Sequence, residues 1–102
     1  MEYEFRDGRI YVTRSVEEKA RIIDRLKKIE GQVRGVQQMV EDSRYCLDEV
    51  QQANAIVAAM RQVELMIIED HLNASIDFAV KSKNVDATMK DMMAVLKAAV
   101  RR

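Results

Sequence analysis

Residues 22–40, IIDRLKKIEGQVRGVQQMV, decide how the chain folds. Ile22, Leu26, Ile29, Val33, Val36 and Val40 recur at steps of four and three, which puts one apolar seam along about five turns of helix. Just upstream, Ser15 with Glu18 three residues on forms a capping box, so the helix begins there. Gly31 and Gly35 interrupt the seam, each at a helix cost of about 1 kcal/mol. Their use would be the close approach of another backbone.

On either side the pattern changes. Residues 1–14 read as a flexible N-terminal arm: Tyr3, Phe5, Ile10 and Val12 alternate around Asp7-Gly8, a hairpin signal, and a lone two-stranded hairpin is marginal in water. Asp42 and Ser43 end the first helix. From Tyr45 to Val80 there is neither Pro nor Gly, and apolar residues occupy more than one stripe, so this long helix must bury more than one face. Another subunit is the expected cover. Asn84-Val85-Asp86 makes the next break, with Asp86 as the expected N-cap, and Val85, Met89, Met92 and Leu96 give a short third helix. Residues 15–102 thus form one helical domain, and the chain reads as all-α with three helices.

The composition narrows the function. The 102 residues carry 17 basic and 17 acidic groups, one Cys, one His and no Pro or Trp. No apolar run is long enough for a membrane span, so no membrane partner is expected. A single Cys makes no internal disulfide, which fits a cytoplasmic location. Charge is segregated: residues 14–34 are net +3, residues 35–80 net −6 and residues 81–102 net +4. Zero total charge therefore does not exclude a basic face for nucleic acid. Arg21, Arg25 and Lys28 form a stripe on helix 1, with Arg14, Lys27 and Arg34 alongside and Arg61, Lys81 and Lys83 as further contributors. The plainer explanation is i,i+4 pairing of Glu17–Arg21, Asp24–Lys28 and Glu30–Arg34, but Arg25 has no such partner.

Cys46 and His71 are the strong soft-metal ligands. They lie 25 residues apart on the long helix, on the order of 37 Å, too far to share an ion within one straight rod. Two copies packed antiparallel about a two-fold axis would bring them together twice, with the crossing between Ala58 and Ala59 and small residues there to admit it. The plainer alternatives are a small buried Cys and an ordinary surface His.

The stretch RLKKIEGQVRGVQQMVEDSRYCLDEVQQANAI (25–56), followed by HLNAS (71–75), resembles the family of small all-helical transcriptional repressors that sense metals or reactive species. Its members include copper-sensing CsoR-like, nickel/cobalt-sensing RcnR-like and formaldehyde-sensing FrmR-like proteins. The similarity runs from about residue 19 to 100. It implies an antiparallel four-helix-bundle dimer assembling into a homotetramer, operator DNA as partner, and an effector site between protomers. Cys46 and His71 match the family's ligands, and Ser75 stands where copper-type members have another Cys and nickel/cobalt-type members a His. Tyr45 matches an outer Tyr, and Asp91 falls where their outer Glu would support the His. The effector is then Cu(I) or another transition-metal ion. Alternatives are an electrophile or oxidant acting on the Cys46 thiol without metal, with Arg44 nearby, a helical interaction module with no DNA role, or a small thiol enzyme. A repressor, not an enzyme, is the reading adopted.

Overall fold

The structure is a computed structural model that describes residues 1–101. The order is β1 (Glu2–Arg6), β2 (Arg9–Thr13), α1 (Val16–Glu41), α2 (Cys46–Ser82) and α3 (Val85–Val100). The three helices stand as expected, and all-α needs one addition: β1 and β2 pair antiparallel, with Phe5 opposite Ile10 and Arg6 opposite Arg9. Asp7 and Gly8 both hold positive φ, 51° and 74°, as a two-residue hairpin turn that follows strand twist requires.

The helix ends follow local chemistry. The Ser15 hydroxyl accepts from Glu18 N at 3.1 Å and the Glu18 carboxylate accepts from Ser15 N at 2.8 Å, the reciprocal capping box. α1 ends where Ser43 takes φ 54°, with Ser43 N donating to Val40 O and Arg44 N to Met39 O, a paired closure that satisfies two carbonyls. α3 is capped by Asn84 rather than Asp86: Asn84 Oδ1 accepts from Ala87 N at 3.3 Å. The helix starts two residues earlier than the Asp86 assignment requires, and Asp86 takes a first-turn position, where a negative charge suits the helix dipole.

The chain divides into two compact units, one comprising Met1–Lys19 with the chain from Glu64 onward, the other Ala20–Val63. In the first, Ile10, Ala74 and Met92 make the apolar core, with Ser75, Thr88 and Asp91 buried beside them. The hairpin is anchored there by side chains that a reading of residues 1–14 alone does not contain. Tyr3 donates to Asp77, Phe5 stacks on Phe78 at 4.3 Å between ring centroids, and Arg14 Nε meets Asp70 at 2.8 Å. In the second unit Ile22, Ile29 and Val63 are buried, and Val33, Val36 and Val40 of α1 face Ala53, Ile56 and Val57 of α2 across an apolar cavity of about 690 Å³. The expected backbone approach to the glycines is not made within this chain: a Cβ at Gly35 would meet nothing within 4 Å, and one at Gly31 only the Arg34 guanidinium at 3.8 Å. Many large apolar side chains of α1 and α2, Val40, Val50, Val57 and Ile76 among them, remain exposed.

The hairpin latch is pH-dependent. Hydrogen bonds from Tyr3 and then Lys81 hold the Asp77 carboxyl below its usual range, and the bond to Asp77 raises the Tyr3 phenol. Asp77 stabilises docking above its unfolded value near 4, and that contribution is lost as pH falls through the lower folded value. Tyr3 stabilises docking below about pH 10, and that is lost as pH rises through its higher folded value. Amide exchange of β1 should therefore be slowest between about pH 4 and 10 after correction for intrinsic rates, and Tyr3→Phe should flatten both edges. Edges unchanged in Tyr3→Phe would contradict the latch.

Candidate functional site

The single histidine is held from behind. His71 projects from α2 and its Nε2 lies 2.7 Å from Asp91 Oδ2 on α3. Both side chains are shielded, 13% and 8% exposed, so the contact is made largely out of water. With Nε2 on the carboxylate, a neutral ring keeps its lone pair on Nδ1, the atom left to bind a ligand. The carboxylate that counting from His71 placed at Asp91 is thus in hydrogen-bond contact with the ring.

Ser75 follows one turn later. Its hydroxyl donates to His71 O at 2.8 Å, and the residue is 2% exposed. This back-bond is the ordinary helix role of a serine and leaves little oxygen surface for an ion. Asp70, next to His71, pairs with Arg14, both side chains about three-quarters buried.

At the other end of α2, Cys46 is the first helical residue and its thiol is exposed. Tyr45 is exposed too, and its carbonyl accepts the first amides of α2, from Asp48 at 3.0 Å and Glu49 at 3.4 Å. Arg44, expected to lie near the thiol as a cation, is paired with Asp48 at 3.3 Å. Among the described residues no three of His, Cys, Asp and Glu come together as a metal cage. The chain by itself offers a thiol and an imidazole, separately.

The basic candidates separate into two groups. Arg14 is engaged with Asp70, and Lys81 with Asp77 at 3.1 Å. Arg21, Arg25, Lys28, Arg34 and Arg61 are exposed, and none has a carboxylate within 4 Å among the described residues. The i,i+4 pairs that would have explained helix 1 as a self-paired surface are not formed at this distance.

What sequence reasoning missed is the hairpin's part in the site. Ile10 N donates to Asp91 Oδ2, the same oxygen that meets His71, at 3.4 Å. No residue-type signal announces a backbone amide. The Asp-Gly turn predicts the hairpin but not where it lands. No helix among the described residues is long and apolar enough to cross a membrane.

Residues 18–98 match the family described as metal-sensitive transcriptional repressor. The copper-sensing transcriptional repressor CsoR of Bacillus subtilis is 44% identical over 84 residues, covering 82% of this chain and 83% of that one. Among solved structures, the copper-sensing repressor CsoR with Cu(I) from Geobacillus thermodenitrificans superposes with a TM-score of 0.80 at 43% identity, over 89% of this chain and 95% of that one. The nickel-responsive transcriptional regulator InrS gives 0.78 at 28% identity, over 88% and 98%. These relatives are transcriptional regulators, not enzymes. A match over most of the length, with the same three-helix fold and close sequence identity, establishes that the chain belongs to the metal-sensitive transcriptional repressor family.

Proposed function

We propose that this protein is an operator-binding repressor that lets go of DNA when Cu(I) is captured between Cys46 of one protomer and His71 of another. The observation that carries the reading is the Asp91 carboxylate on His71 Nε2, which leaves Nδ1 as the ring's donor. Supporting it, relatives at 44% and 43% identity are copper-sensing repressors.

The donor set fits a soft ion best. One thiolate and one imidazole are the ligand types that select Cu(I), which is stable with few donors. Zn(II) and Ni(II) need four or more, and Ser75, 2% exposed, has little oxygen surface with which to make up the number. When bound, the ion would act as a link between two chains. The protein's contribution is to hold each donor ready: Asp91 orients the ring, and the start of α2 presents the thiol at an exposed position.

The assembly follows from uncovered apolar surface. Val50, Val57 and Ile76 of α2 are exposed in the single chain, and burial removes such surface from water at roughly 25 cal/mol per Å². Antiparallel α2 pairing in a dimer, and two dimers in a tetramer, would cover it and place Cys46 beside the partner's His71. Arg21, Arg25, Lys28 and Arg34 would then repeat over the tetramer as a phosphate-binding face. Arg14 and Lys81, already paired, would contribute less.

DNA release should follow the donors. Cu(I) should lower operator affinity roughly 5- to 150-fold, the range for a coupling of about 1–3 kcal/mol, with Zn(II), Ni(II) and formaldehyde weaker. Cys46→Ala should abolish the Cu(I) response and leave metal-free binding intact. Release by formaldehyde with no response to Cu(I) would assign Cys46 to thiol chemistry instead. Operator binding measured against salt should lose affinity and about one unit of slope per contact in Arg25→Ala, with Arg14→Ala changing both much less. Equal slopes for wild type and Arg25→Ala would remove Arg25 from the DNA face.

A further inference from the structure

We propose that the N-terminal hairpin completes the His71 site: the backbone amide of Ile10, delivered by β2, is a positioning group that holds Asp91 as an acceptor and thereby fixes the imidazole with Nδ1 free. This rests on His71 being the effector ligand and adds a segment that the family match, residues 18–98, does not include.

Asp91 is buried, and among the described residues two donors reach its carboxylate, both at Oδ2: His71 Nε2 at 2.7 Å and Ile10 N at 3.4 Å. An ionised carboxylate has no proton to give and acts as acceptor only, so a ring bonded to it presents its N–H at Nε2. Removing one of two donors from a buried carboxylate leaves it under-satisfied, and it would then turn toward water or other partners. The ring's orientation depends on the same atom.

Delivery of Ile10 is built into the hairpin. The Asp7-Gly8 turn fixes the register that sets Ile10 opposite Phe5, and Ile10 itself is buried, its N–H directed at Asp91 rather than spent within the ladder. Three anchors then seat the hairpin on one run of α2 that brackets His71: Arg14 on Asp70, Tyr3 on Asp77 and Phe5 on Phe78. The turn also borders, with Asp7, Gly8 and Arg9, a cleft that Lys90, Asp91 and Ala94 line from α3. An element attached only for bulk stability would have no reason to end on the oxygen that holds the histidine.

The chain has one histidine, so imidazole nitrogen signals belong to His71 without ambiguity. The test is long-range ¹H–¹⁵N correlation of ¹⁵N-histidine-labelled, metal-free, DNA-free full chain at about pH 8.5, where an ordinary imidazole is neutral. Wild type should show the Nε2–H tautomer. Ile10→Pro, which deletes that one amide proton, should lower the ratio of Nε2–H to Nδ1–H at least about threefold, and weaken Cu(I) in competition with a chromogenic chelator about tenfold, as loss of an outer partner does. Should Ile10→Pro lose the hairpin altogether, Asp91→Asn decides: the Ile10 amide proton should move upfield and exchange faster. An unchanged tautomer ratio in folded Ile10→Pro, or an unmoved Ile10 amide in Asp91→Asn, overturns the proposal. If wild type takes up no Cu(I), the metal reading fails while the tautomer measurement still decides the hairpin's role.

Discussion

The contact between Asp91 and His71 is the constraint on which the rest depends. A histidine free to rotate presents either nitrogen in any direction. One pinned through Nε2 in a poorly hydrated position presents Nδ1 in one direction, and a ligand that needs a directed lone pair can then be recognised. The contact joins α2 to α3, so the site's geometry and the packing of the C-terminal helix are one matter. Ser75 reinforces this from within α2 by back-bonding to His71 O. On the proposed reading the same serine would narrow the effector set: a position one turn from His71 is given to packing, and the donors that remain are those a soft, low-coordinate ion accepts.

On the proposed reading, the half of the site that one chain lacks follows from the fold. A thiol at the first residue of a 37-residue helix and an imidazole 25 residues along it have no route to each other inside one rod. The same helix leaves apolar side chains uncovered along its length. One proposed event, antiparallel pairing with a second copy, answers both facts. It would couple ligand capture to the arrangement of protomers, and hence to the spacing of the unpaired arginines of α1.

The local code of the fold was largely legible. The Ser15–Glu18 box, the seam from Ile22 to Val40 and the long uninterrupted α2 all follow from short-range rules, and the helices form where those rules place them. The family resemblance, counted from His71, points to Asp91, which meets the ring. The N-cap of α3 is ambiguous in the sequence because Asn84 and Asp86 are both good capping residues, and Asn84 is the one that reaches Ala87 N. Arg14–Asp70 joins residues far apart in sequence and no spacing rule reports it, whereas Lys81–Asp77 is an i,i+4 pair that the helix rule allows; both engage cations expected at the DNA face. The docking of the hairpin joins residues some 80 positions apart through a backbone amide, and no spacing rule reports such a contact.

The most direct test of the central claim is complementation between two inactive chains. Cys46→Ala and His71→Ala protomers, co-expressed with different tags and purified as mixed dimers, should each fail alone to hold Cu(I) against a competing chelator. If the site is shared across antiparallel protomers, the mixed dimer pairs one chain's intact thiol with the other's intact imidazole at one end and should recover one Cu(I) per dimer, half the wild-type uptake. No recovery in the mixed dimer, with wild type binding normally, would contradict a site built from two chains.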